Sequence, residues 1–256
     1  MSPRRSGVFL TLATTVLVSV SCNFWSSEVE GQNLADIETY QYHLSLRSNG
    51  TYLCSAAIIA QIWALSAARC VANVQQVGQL TLLGASNNRQ SGGHIFQVVG
   101  LHRHPDWNTQ TMEYDLALLE TYEPMRGIHL YPVPMDGFDE VHPPGSHAVA
   151  TGWGLIDNSK NVTSRVLKRA VVTLVNQTEC SETWPNYITE GMLCASGGSD
   201  QTLCTMDIGS PLVVQGRQLI GVLSWADMNC GANRAVVYAR VAFWRIRSWI
   251  VEVAGV

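Results

Sequence analysis

Charge is scarce in this sequence. Charged residues make up 14% of the 256-residue chain, the formal charge is −4, and no basic run exceeds two residues. Those shortages argue against a general binder of nucleic acid or of anionic membranes. No CxxC pair and no His-x-x-x-His cluster occurs, so metal binding has no motif behind it, and neither a metal nor another cofactor is expected. No period of 20–50 residues recurs, which sets repeat architectures aside, and no low-complexity tract appears. Beyond the N-terminal region no apolar run is long enough to cross a bilayer. Between residues 23 and 46 there is neither lysine nor arginine.

Hydrophobic residues at 46% are ample for one large domain or two small ones, and 21 glycines fit strands and turns better than a helical bundle. Arg4 and Arg5 precede GVFLTLATTVLVSVSC, an apolar run with small residues at its end. That is the pattern of a secretory signal peptide over residues 1–22, with cleavage near Cys22. A signal anchor is the alternative, but the run is short of a full membrane span. Cleavage there removes two arginines and no acid, taking the formal charge to −6. Of seven cysteines, six then remain: Cys54, Cys70, Cys180, Cys194, Cys204 and Cys230. An even set in an oxidising compartment reads as a disulfide framework. Sequons at Asn49, Asn161 and Asn176 agree with a secreted, extracellular glycoprotein.

From about residue 40 the chain runs in short apolar or alternating stretches broken by turns, among them YHLSL, AAIIA, QLTLLG, HIFQVVGL, DLALLE, RAVVTLV, QLIGVLSW and AVVYARV. Strands at this spacing predict an all-β barrel or sandwich. A turn-rich segment, YPVPMDGFDEVHPPG (131–145), divides the chain into halves of similar length. Only the end reads as helical, where Phe243, Ile246, Trp249, Ile250 and Val253 recur at three- and four-residue steps.

Several segments, in order, resemble those of trypsin- and chymotrypsin-like serine proteases. IWALSAARC (62–70) resembles the segment that ends Ala-Ala-His-Cys in that family, and YDLALLE (114–120) its Asp-Ile-Ala-Leu-Leu segment. TGWG (151–154) matches the turn after the inter-barrel linker, and SWADMNC (224–230) follows at the usual distance. CTMDIGSPL (204–212) resembles Cys-x-Gly-Asp-Ser-Gly-Gly-Pro-Leu. The resemblance implies two packed six-stranded antiparallel β-barrels, about 29–135 and about 136–256, closed by a C-terminal helix. It leaves a short pro-segment at 23–28, and it implies disulfides Cys54–Cys70, Cys180–Cys194 and Cys204–Cys230.

The resemblance also locates the chemistry. Its triad positions fall at Arg69, Asp115 and Ile208, of which only Asp115 keeps the family residue. A guanidinium holds its proton throughout the physiological range, and isoleucine has no atom to attack with. The oxyanion-hole positions are Met206 and Ile208. Methionine at the first would cost about 1–2 kcal/mol to hold a shape that glycine takes freely. Ser210 in place of the next glycine reads as a loosened turn. The substrate pocket maps to Thr202, Ser224, Trp225, Ala226 and Val236, with Ala226 and Val236 filling the slot. Val29-Glu30-Gly31-Gln32, preceded by Glu28, stands where an activation cleavage would free a new terminus, with no basic residue to cut after. Asp207 then serves as a structural acceptor. Ser66, Ser210, His102 and His104 are the substitutes at hand for a lost nucleophile or base, and each also reads as an ordinary turn or surface residue.

The expectation is therefore a secreted protein that is no enzyme: a monomeric serine protease homologue acting as a binding, cofactor or regulatory protein. Its expected partners are extracellular proteins, active serine proteases or their substrates among them. Neither nucleic acid nor, after signal cleavage, membrane is expected. Residual or rebuilt serine-type endopeptidase activity, and a structural remnant without a partner, are the alternatives.

Overall fold

Short apolar runs separated by turns can hide their inner faces only by pairing with one another, and here they pair all the way round. The computed structural model describes residues 34–157, 162–196, 208–214, 218–227 and 234–256. The first barrel contains β1 (His43–Ser48), β2 (Thr51–Ala60), β3 (Trp63–Ser66), β4 (Leu80–Gly84), β5 (His94–Arg103) and β6 (Ala117–Thr121), closed in the order β1-β2-β3-β6-β5-β4. After it come β7 (His147–Gly152), β8 (Leu155–Asp157), β9 (Val162–Thr163), β10 (Lys168–Val175), β11 (Met192–Ser196), β12 (Pro211–Val214), β13 (Gln218–Trp225) and β14 (Val236–Arg240). The second barrel closes in the order β10-β11-β14-β13-β12-β7, while β8 and β9 form a separate two-stranded sheet. Every strand pair is antiparallel. The all-β fold of two six-stranded barrels is the expected one.

Local chemistry sets the turns. Asn49 (φ 50°) and Gly50 (φ 78°) both occupy the left-handed region, the pairing a tight hairpin requires, and they join Ser48 to its partner Thr51. Leu44, Leu46, Ile58, Leu65, Leu82 and Leu118 fill the first barrel. Val213, Leu219 and Val222 of the second barrel pack into that same cluster, so the two barrels share a core. The helix α2 (Trp244–Ala254) adds Ile246, Trp249 and Ile250 to it, as its three- and four-residue stripe predicts.

A second helix, α1 (Gln177–Thr183), has no counterpart in the sequence reading. Its seven residues bury only Cys180, too little for a stripe, and it starts because the Asn176 side chain accepts a hydrogen bond from the Glu179 amide at 2.7 Å. Disulfides Cys54–Cys70 and Cys180–Cys194 are formed as the resemblance implied. Cys204 and Cys230 lie outside the described residues.

Candidate functional site

Asp115 sits just before β6 and is fully buried. Burial opposes its ionisation and raises the carboxyl to about 6; the Ser224 hydroxyl, the Arg69 amide, the Arg69 charge and the Ala68 amide each act in the opposite direction. The Ser224 hydroxyl donates to one carboxylate oxygen at 2.7 Å, and the Arg69 amide donates to the other at 2.7 Å. Arg69 belongs to a 3₁₀ turn, Ala68–Val71, which the Cys54–Cys70 bridge fastens to β2. Its guanidinium reaches back over the carboxylate: Nε stands 4.0 Å from Asp115 Oδ2, and Nη1 donates to the Ser224 carbonyl at 2.8 Å. The Arg69 side chain is 29% exposed, so it forms a partly open cationic cover on a buried acid.

Ile208 lies beside it. A groove of about 460 Å³ runs past Leu53, Arg69, Asn73, Val74, Gln79 and Ile208. The Ile208 carbonyl accepts from the Ser55 amide at 3.0 Å, and the Gly209 amide donates to the Leu223 carbonyl at 2.8 Å. Gly209 has φ +83°, and a Cβ on it would stand 2.2 Å from the Ser55 carbonyl oxygen and 2.6 Å from Ser66 Oγ. Over residues 208–210 the turn is therefore tightly held rather than loosened, because two neighbouring strands close on a position only glycine can occupy. Ser210 is buried in it, and its hydroxyl has no hydrogen-bond partner among the described residues.

The remaining site positions fall as follows. Ser224 and Val236 are buried, whereas Trp225 and Ala226 are half-buried. Trp225 meets the edge of Trp184 at 4.6 Å. Ala226 packs against the second barrel's core, to which Val236 belongs. Thr202, Met206 and Asp207 lie outside the described residues. His104 is buried and stacked on Tyr114 at 4.6 Å, and His102 contacts Trp63 at 5.5 Å. Ser66 donates to the Ser55 carbonyl at 2.7 Å.

Two functional details escaped the sequence. Ser224 is the hydroxyl that holds Asp115, a contact made across a separation of 109 residues. His43 is fully buried on β1, with Nδ1 2.8 Å from Thr151 Oγ1, Nε2 3.2 Å from Ser55 Oγ, and its ring 4.7 Å from Trp153. The signal was present, since a histidine inside the apolar run YHLSL must find partners if it is buried.

The sequence matches the trypsin family over residues 28–250. It is 33% identical over 227 residues to Transmembrane protease serine 9 of Rattus norvegicus, covering 84% of this chain but only 21% of that protein. It is 32% identical over 237 residues to Trypsin 5G1 of Aedes aegypti, covering 90% of this chain and 86% of that one. A solved structure described as neuropsin, a serine protease expressed in the limbic system of mouse brain, superposes with a TM-score of 0.78 at 24% identity, covering 87% of this chain and 98% of its own, which shows the shared fold. Among the described residues no helix is long and apolar enough to cross a membrane.

One expectation is corrected here. Arg69 and Ile208 led to a chain that is no enzyme, whereas both relatives are proteases by name. That expectation rests on residue type at two positions, a base at 69 and a nucleophile at 208, with Ser66, Ser210, His102 and His104 read as ordinary turn or surface residues. Hydrolytic sites are defined by geometry and roles rather than by numbered positions. Matched from residue 28 to residue 250 and closed into the same pair of barrels, the chain belongs to the trypsin family.

Proposed function

We propose that this trypsin-family chain acts outside the cell by holding a segment of another extracellular protein in the groove beside Arg69, in a cofactor or regulatory role. The observation that carries this reading is the guanidinium at the place where Asp115 and Ser224 meet. It is partly exposed, and it borders a groove lined by the apolar Leu53, Val74 and Ile208 together with the polar Ser48, Asn73 and Gln79. An apolar side chain followed by an acidic group is the complement such a groove selects. In this reading the triad positions are Arg69, Asp115 and Ile208, and Asp115 serves to fix the cation. Active serine proteases and their substrates are the partner class. Secretion rests on the signal-like residues 1–22. The exposed Asn49 at the β1–β2 turn offers a glycan site, and so does Asn176, whose capping bond uses Oδ1 and leaves Nδ2 free of it.

The relatives favour a second reading, serine-type peptide hydrolysis by a hydroxyl elsewhere in the fold, for which the unmatched Ser210 hydroxyl is the nearest buried group to Ile208 in sequence. One experiment separates the two. Recombinant protein free of other hydrolases is treated with a fluorophosphonate probe, and in parallel its partners are captured from native extracellular fluid with wild type and Arg69→Glu. Binding predicts capture at least tenfold weaker in the variant, which stays folded but melts lower because a second carboxylate replaces the cation over buried Asp115, and hydrolysis predicts a labelled serine with turnover. Capture indifferent to Arg69→Glu would overturn the binding reading, and a folded protein with no labelled serine would overturn the hydrolytic one.

A further inference from the structure

The segment joining the two barrels gathers three side chains that the groove does not use. Asp136, Glu140 and His142 each place one donor atom within 4.8 Å of the others. All three come from one seven-residue stretch, Asp-Gly-Phe-Asp-Glu-Val-His, with an unusual degree of external support. The Asp136 amide donates to the Leu219 carbonyl at 3.2 Å and the Asp139 amide to the Ala242 carbonyl at 2.7 Å. Arg247 Nε donates to the Asp136 carbonyl at 3.0 Å, and Arg240 Nη2 to the Glu140 carbonyl at 3.0 Å. Asp139 turns the other way, its Oδ1 accepting from the Trp244 amide at the start of α2. The three donors are thus held on a braced loop rather than on a free one.

Asp136 supplies the observation that points to a ligand. Its side chain is 1% exposed, yet Oδ1 has no hydrogen-bond partner among the described residues. Its other oxygen, Oδ2, lies 2.8 Å from His142 Nε2. A buried carboxylate oxygen without a donor is an unfavourable arrangement that a coordinated cation would relieve. Glu140 is partly exposed, and its Oε2 accepts from the Gly137 amide at 3.0 Å, leaving Oε1 outside that bond. The three residues line a cavity of about 570 Å³, which leaves room for a further ligand.

We propose that Asp136, Glu140 and His142 form a divalent metal site, and that zinc is the cation whose chemistry it fits. An imidazole with two carboxylates is a nitrogen-and-oxygen donor set suited to zinc, which binds such atoms at about 2.0–2.2 Å and keeps a fourth position for water or an incoming donor. Calcium and magnesium prefer oxygen alone. Metal entry replaces the hydrogen bond between His142 Nε2 and Asp136 Oδ2, spreading those two atoms to about 3.3 Å, and the Asp136 carboxylate binds through both oxygens, so that the unpartnered Oδ1 is satisfied as well. The two carboxylates match the charge of the cation. Arg240 and Arg247 oppose it at longer range, since both guanidinium groups are directed at backbone carbonyls. The site lies where the inter-barrel loop meets α2, so a bound cation would stabilise that junction.

The test uses the full secreted chain, oxidised and stripped of metal with a chelator, with zinc chloride as the probe. Calorimetric titration is expected to show one saturable site, and zinc is expected to raise the midpoint of thermal unfolding by mass action. Glu140→Gln and His142→Gln alter side chains that are at least partly exposed. Each is expected to weaken zinc binding tenfold or more; Glu140→Gln leaves the metal-free melting temperature unchanged, whereas His142→Gln lowers it by removing the partner of the buried Asp136 Oδ2. Zinc-edge anomalous scattering from crystals should place the ion within bonding distance of all three side chains. No saturable binding, equal binding in wild type and both variants, or an anomalous peak at another group would overturn the assignment.

Discussion

Asp115 and His43 are buried ionisable groups whose titrations pull stability in opposite directions. Asp115 is raised to about 6 from its ordinary 3.8, chiefly by burial. Between those values the folded state keeps a proton that the unfolded chain has released, so its contribution falls as pH rises through that window, on the order of 2–3 kcal/mol. His43 is lowered by burial from 6.5 to about 3. There the unfolded chain takes up a proton that the folded state refuses, so stability falls as pH drops, on the order of 4 kcal/mol across the window. His104, lowered by burial, adds to the acid side. Between about pH 4 and pH 6 the two main effects nearly cancel, and below that His43 acts unopposed. Asp115→Asn removes one side of the balance. Denaturant unfolding at stepped pH should show the variant losing about 2–3 kcal/mol relative to wild type between pH 6.5 and pH 4, and parallel curves would refute the assignment. Arg69, Asp115 and Ile208 could be picked out from short motifs. Ser224 as the support for Asp115, and Thr151 and Ser55 as the partners of His43, could not, because none of these contacts is local in sequence.

Among the elements, two glycines with the same backbone hand separate steric from conformational effects. Gly255 caps α2 at φ 73°, its amide donating to the Val251 carbonyl, and a Cβ there would meet nothing within 4 Å. Gly209 has φ +83°, but a Cβ there would stand 2.2 Å from the Ser55 carbonyl oxygen. Gly255→Ala should therefore cost about 1 kcal/mol, the left-handed penalty alone. Gly209→Ala adds a clash with backbone that cannot retreat, and should cost about 3 kcal/mol or more, or prevent folding. Urea unfolding of the two variants measures the contrast; equal losses would mean that strands β2 and β3 yield at the turn. The strands themselves were legible from apolar patterning, with exceptions that have a cause. In β3 the four residues Trp63–Ser66 are all buried and show no alternation, while β11, Met192–Ser196, is short and follows α1 closely. The helix α1 depends on a cap and a disulfide rather than on periodicity.

For the whole molecule, the shared core makes the two barrels one cooperative object. Val213, Leu219 and Val222 of the second barrel lie in the same cluster as Leu44, Leu65 and Leu118 of the first. Trp153, between β7 and β8, donates its indole N–H to the Asn87 carbonyl at 2.9 Å and so ties the second half of the chain to the first. Opening the Cys54–Cys70 bridge, which spans 16 residues, should lower stability by about 2–4 kcal/mol through the freed loop. It should also release the turn carrying Arg69. A Cys54→Ala/Cys70→Ala variant is expected to unfold in one transition at lower urea. Two separate unfolding transitions would show that the barrels do not share stability.

By itself, the sequence determined the strand-and-turn character, the family pattern and the chemical identity of the side chains at 69, 115 and 208. These are properties of residue type and spacing, which the chain carries before it folds. Tertiary structure alone decided that Ser224 supports Asp115, that Arg69 leans on the Ser224 carbonyl, that Gly209 is enclosed by β2 and β3, and that Asp136, Glu140 and His142 converge on a braced loop. The first three depend on distances and burial between segments far apart in the chain, and the loop, whose three side chains lie within seven residues, is braced by such segments too. Barrel closure sets those quantities, and local spacing carries no record of them.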